Sequence, residues 1–249
     1  MKSKSKLTAG FSLLELVLVL AVISVLVGIL LPKGFDMIRN AKVQQVAETV
    51  NTLKTALTDY LSLPGGNGSL PRTEGTGVPC TGAALSGASD VAKGNGARLD
   101  AILLAVGKLE RPLSLRMGSQ LAASTGSGNE MTWSSTSQSF VMTPDAVPAR
   151  DWSGVTRVEA RAANPALLPS AALGANFRLD GTATGINANY VVAYLAIPGC
   201  PAKDAYELAV ALNGAQFVPV EGAACDAGMV AYAAPVAGVT DVYVYLTAL

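Results

Sequence analysis

From Phe11 to Leu31 the chain runs almost without a polar side chain: 17 of 21 residues are apolar, and the exceptions are Ser12, Glu15, Ser24 and Gly28. A helix of that length spans a hydrocarbon core about 30 Å thick. Beyond Pro32 the pattern changes from continuous to periodic. Val43, Val46, Val50, Leu53, Leu57 and Tyr60 recur at steps of 3, 4, 3, 4 and 3, which is one face of an amphipathic helix. Lys42, Gln44, Gln45, Glu48, Lys54 and Asp59 take its other sides. Together the two patterns predict one helix over residues 11–63, roughly 80 Å long at about 1.5 Å per residue. Its first part, 11–31, suits a membrane, and its second, 32–63, suits packing on a domain. Gly28, Pro32 and Gly34 cluster where the two parts meet. A lost backbone bond and poor helix propensity favour a kink or local melting there. Pro64-Gly65-Gly66-Asn67-Gly68 then stops the helix.

Residues 64–249 read as a globular head. The stretch from Gly65 to Asn95 is rich in Gly, Ser, Thr and Pro and predicts a long irregular connection. A short helix comes next at Leu99–Gly107, then a polar loop near Ser124–Asn129. Alternating or β-branched content predicts strands near Met131–Met142, Val155–Ala160, Asn176–Leu179 and Asn189–Ile197. Pro201–Leu212 has a helical pattern, with strands returning at Phe217–Val220, Met229–Tyr232 and Val242–Leu246. A long helix succeeded by mainly antiparallel sheet, with a helix inserted late, is an α+β layout.

Charge sets the direction of the apolar segment. Ahead of it, Lys2, Lys4 and Lys6 are the only charged residues, so the positive-inside rule keeps residues 1–10 cytoplasmic and exports the chain beyond the membrane segment. A cleaved secretory signal fits poorly, because the apolar run is too long and Ile29-Leu30-Leu31-Pro32-Lys33 offers no small-x-small cleavage site. Glu15 argues against a plain signal anchor, since an acid on a lipid-facing helix costs on the order of 2–3 kcal/mol and marks a function.

These residues carry a resemblance. Gly10-Phe11-Ser12-Leu13-Leu14-Glu15, followed by an unbroken apolar helix and then Pro32, resembles the class III signal of type IV prepilins and of the pseudopilins of type II secretion. The resemblance implies cleavage of the leader 1–10 between Gly10 and Phe11 by a cytoplasmic-side prepilin peptidase, and N-methylation of Phe11 by the same enzyme. It implies an assembly role for Phe11 and Glu15, the carboxylate complementing the N-terminal amine of a neighbouring subunit. The physical demand is plain: an unpaired ammonium and an unpaired carboxylate are each expensive among packed apolar helices. Gly28, Pro32 and Gly34 would let subunits bend into a filament. The family's fold is a pilin roll, with the sheet packed on the C-terminal half of the long helix.

The expected partners are other pilin subunits in a homo- or hetero-polymer, the peptidase, an inner-membrane assembly platform, and the membrane itself before assembly. The expected location is the bacterial inner membrane for the precursor, then a surface filament or a periplasmic pseudopilus. A pseudopilin of type II secretion is the alternative within the family, and a membrane-anchored binding protein that never polymerises is the alternative outside it.

An exported chain meets an oxidising compartment, and Cys80, Cys200 and Cys225 supply three thiols. Many pilins bound their C-terminal region with a disulfide. By that likeness the expected pair is Cys200–Cys225, which closes a 24-residue loop worth roughly 3 kcal/mol in the chain-entropy model. Cys80 stays open as a partner for either.

Composition excludes much else. The chain has no histidine, which removes the Ser-His and Cys-His dyads and His-ligated metals. No phosphate-binding loop, G-x-S-x-G elbow or EF-hand loop is present, so neither an enzyme nor a cofactor or metal is expected. Glu221 and Asp226 make an unconvincing calcium pair. With 18 basic against 18 acidic residues, no nucleic-acid partner is expected, and the cluster Arg150, Arg157 and Arg161 reads as a solvated face.

Overall fold

The computed structural model describes residues 13–62, 70, 73, 99–105, 107–111, 113–119, 131–134, 139–142, 155–166, 176–182, 184–217 and 220–249. Helix α1 covers Leu13–Leu61 and α2 covers Leu99–Ala105. A small hairpin, β1 (Met131–Ser134) and β2 (Ser139–Met142), precedes β3 (Arg157–Ala162) and β4 (Val191–Pro201). Helix α3 (Ala202–Asn213) leads through a single 3-10 turn, Ala215–Phe217, to β5 (Val230–Tyr232) and β6 (Val239–Ala248). The layout is α+β, with a long first helix and an antiparallel four-stranded sheet in the order β3-β4-β6-β5.

The chain divides into two compact units, one ending at Ala41 and the other running from Lys42 to Leu249. In the second unit the periodic face of α1 does what its spacing requires. Val46, Val50, Leu53 and Leu57 are fully buried and Val43 and Tyr60 nearly so. They share one core with Val158 and Ala160 of β3, Ala193, Leu195 and Ile197 of β4, Val242, Val244 and Leu246 of β6, and Ala205, Leu208 and Ala209 of α3. Lys42 reaches Asp204 in the first turn of α3 at 3.3 Å.

Strand alternation sends Val192, Tyr194, Ala196, Ala231 and Tyr243 to the other face, where they form a second cluster with Phe177 from outside the strands. Its rings meet at angles, Phe177 against Tyr245 at 5.5 Å and Tyr194 against Tyr243 at 5.9 Å between centroids. The β4–β6 register shifts twice, between Ala193 and Tyr194 and between Ile197 and Cys200, and the second shift changes the parity of β4. Ile197 pairs with Val242 but Cys200 pairs with Thr240, so three steps on one strand oppose two on the other. This bulge returns Cys200 to the inner core, where strict alternation from Ile197 would place it outside.

One expected strand is not a strand, and a second is described only at its two ends. At Asn176–Leu179 the chain is irregular and enters a turn, with the Asn176 side chain accepting from the Ile186 backbone N–H at 3.2 Å. Of Phe217–Val220, Phe217 ends the 3-10 turn and Val220 is irregular, while residues 218–219 lie outside the described residues. Apart from Leu70 and Thr73, the expected connection Gly65–Asn95 lies outside the described residues, as does the loop Ser124–Asn129.

Candidate functional site

The unit ending at Ala41 holds the residues that the N-terminal motif singles out. Gly10 and Phe11 lie outside the described residues. Glu15 stands in the first turn of α1, where the helix dipole favours a negative charge, and it is exposed. From Leu13 to Leu31 every residue is exposed, and the apolar surface continues through Phe35, Met37 and Ile38. Val27, Leu30, Leu31, Gly34, Phe35 and Ile38 line a shallow groove of about 330 Å³. This stretch is long and apolar enough to cross a membrane. An exposed apolar surface of this extent marks a contact with lipid or protein.

The helix is continuous through Gly28, Pro32 and Gly34. Nothing stands within 4 Å of where a Cβ would sit on Gly28 or Gly34. A Ser24 hydroxyl bond to the Leu20 carbonyl at 2.7 Å satisfies one polar group within the apolar run.

The expected Cys200–Cys225 disulfide is not formed, and both thiols are free and buried. Sheet order gives the reason. Cys200 lies on β4 opposite Thr240 of β6, whereas Cys225 bridges the outer side of β5 through Tyr232, which in turn faces Val242 of β6. Three strand spacings of about 4.8 Å separate the two by about 14 Å, and a disulfide needs Cα atoms within about 7 Å. Burial, with Asp204 nearby, pushes the Cys200 thiol up to about 12. Burial also raises Cys225. Cys80 lies outside the described residues.

In place of that bond, the side chain of Asn213 ties the end of α3 to β5. Its Nδ2 donates to the carbonyls of Ala227 at 2.9 Å and Val230 at 3.1 Å, and its Oδ1 accepts from the Val230 N–H at 2.8 Å. Nothing in the hydrophobic pattern marks this residue, although an Asn directly before a helix-ending Gly is a local signal.

The amide also seals the outer edge of β5, together with paired backbone bonds between Cys225 and Tyr232 at 2.8 and 3.0 Å. The opposite edge is sealed as well. The Val158 N–H donates to Asp100 at 3.0 Å, the Ala160 N–H donates to the Thr73 hydroxyl at 3.0 Å, and the Thr73 N–H donates to the Ala160 carbonyl at 2.8 Å. Both edges of the sheet are thereby occupied against strand addition.

Arg157 and Arg161 do not form a solvated basic face. Both pair with Glu159 between them, Arg161 at 2.7 Å, and the Tyr194 hydroxyl donates to the same carboxylate. The two arginine side chains keep only 13% and 22% of their exposure. The signal was present as Arg-x-Glu-x-Arg, which puts all three on one face of a strand. Arg150 lies outside the described residues. No group of three or more Cys, Asp or Glu stands in ligating proximity among the described residues.

Comparison with protein-family models, with curated proteins and with solved structures returns no match.

Proposed function

We propose that this chain is the precursor of a type IV pilin-like structural subunit, which is processed at Gly10–Phe11 and polymerises by packing of its N-terminal helices. One observation carries the reading: an exposed, apolar helix with a single acid, Glu15, in its first turn, directly behind Gly10-Phe11. A membrane stores such a helix. Only lipid or other helices of the same kind can cover it without stranding polar backbone. Cleavage leaves a new α-ammonium at Phe11, and Glu15 supplies the charge that complements it in a neighbouring copy. The sealed edges of the sheet support assembly through helices rather than through an added strand.

Intact mass of the membrane-extracted protein tests the reading. A chain starting at N-methylated Phe11 is the expected result, and a retained leader identifies a membrane-anchored protein that does not assemble. Glu15→Ala is expected to leave processing intact and to abolish or sharply reduce filaments sheared from cells. Normal filaments from that variant would overturn the role of Glu15. The same subunit chemistry serves a periplasmic pseudopilus of type II secretion, in which case secretion rather than surface filaments is the property lost.

A further inference from the structure

Asn213 ends α3, and Gly214 comes directly after it with φ 74°. In an Asn-Gly pair the backbone nitrogen of the glycine attacks the asparagine side-chain carbonyl carbon readily, because no Cβ hinders the approach. Folding opposes that attack at this position. The Asn213 amide is engaged on both heteroatoms at the edge of β5, by the three bonds to Ala227 and Val230, and the residue is only 8% exposed. Gly228 closes over it with φ 89°, so near that a Cβ there would fall 2.5 Å from Asn213 Cγ. Turning the side-chain carbonyl toward the Gly214 nitrogen requires all three bonds to break.

We propose that Asn213 is a deamidation site gated by folding, protected while α3 and β5 are docked and open to conversion whenever the chain is unfolded. The Gly214 nitrogen gives up its proton to solvent and bonds to Asn213 Cγ. The Cγ–Nδ2 bond breaks, and the nitrogen leaves as ammonia with a proton taken from water. Water then opens the five-membered succinimide at one of its two carbonyls, leaving aspartate or isoaspartate. Aspartate has no donor for the Ala227 and Val230 carbonyls and sets a negative charge against both, in a site with little access to water. Isoaspartate lengthens the backbone at the end of α3. Either product prevents the contact from being rebuilt, so time spent unfolded is recorded irreversibly in the chain.

The test compares the full chain in detergent, folded, with the same chain in urea, held at one pH and temperature and sampled over time. Peptide mass spectrometry reads amide-to-acid conversion at Asn213. Asn67 and Asn95, each also followed by glycine, report the intrinsic chemistry in urea. Asn213 is expected to convert in urea at a rate similar to theirs, and at least about tenfold more slowly in the folded chain, where conversion waits on local opening. The fraction recovering native near-ultraviolet circular dichroism after dilution is expected to fall in step with conversion at Asn213. Equal rates in folded and unfolded chains overturn the gating. Recovery of unchanged Tm by chains shown to carry the converted residue overturns the consequence. Freshly prepared Asn213→Asp is expected to melt lower or fail to fold, and a wild-type Tm for it counts against the proposal in the same way.

Discussion

Glu159 lies between two guanidiniums on β3 and keeps 7% of its exposure. Burial by itself would raise its pKa, but Arg157, Arg161 and the Tyr194 hydroxyl outweigh it and hold the carboxyl below the usual range. The same burial and the negative charge of Glu159 push the Tyr194 phenol upward. A carboxyl held lower in the folded than in the unfolded chain stabilises the fold above the unfolded value of about 4.3, and that contribution is lost as pH falls through the folded value. Glu159→Gln is therefore expected to cost about 2–4 kcal/mol near neutral pH, because it leaves two arginines facing each other without their anion. It should also flatten the acid limb of stability, read by urea titrations at a series of pH values. An unchanged acid limb would mean that other carboxylates carry it.

The cysteines give a second test at the same scale. Neither Cys200 nor Cys225 is expected to react with a thiol reagent in the folded chain, and both should be alkylated after denaturation without any reductant. A cross-linked Cys200–Cys225 peptide would contradict the strand order itself.

At the scale of the element, α1 carries two surfaces with different fates, and its inward face in the second unit is tested by truncation. Leu53→Ala, at a fully buried position, is expected to cost about 2–5 kcal/mol, whereas Gln44→Ala on the exposed side should stay within about 0.5 kcal/mol of wild type in the same denaturation assay. The turn joining β5 to β6 holds a local conflict. Val236 and Val239 exchange backbone bonds at 2.9 and 3.1 Å around Ala237 and Gly238, both at positive φ, and Ala237 at 52° is a residue that such a turn disfavours. Ala237→Asn is expected to stabilise the chain by about 0.5–1 kcal/mol, visible as a raised Tm, and a lowered Tm would show that the turn is held for another reason.

Elements with a repeating pattern were legible in advance: both helical faces, β4 and β6 can be read from spacing alone. Asn176–Leu179 carried an alternating pattern and is not a strand, since among the described residues no segment pairs with it in a ladder. The Arg178 carbonyl instead accepts from Gly181, which closes a turn, and from Gly228 in a distant loop, and neither bond is strand pairing. Phe217 likewise bonds back to Gly214 at 3.3 Å, closing a tight turn where an extended strand was expected.

For the whole molecule, zero net charge and 50% hydrophobic content describe two dissimilar parts. Leader lysines contribute three positive charges, so on the proposed processing the mature side chains carry a net of three negative charges, from 15 basic against 18 acidic residues. The sequence by itself determined the membrane-length run, the position of its one acid and the inward face of α1, because each depends on residues a few positions apart along one helix or one short segment. Tertiary structure alone decided that Cys200 and Cys225 stand three strand spacings apart, that Glu159 neutralises the arginines on either side, and that Asp100, Thr73 and Asn213 close the sheet edges. The edge contacts join segments from 58 to 87 residues apart at one edge and 17 at the other. Hydrophobic periodicity states which face is buried but not which partner is buried against it, and the pairing is settled only when the strands assemble.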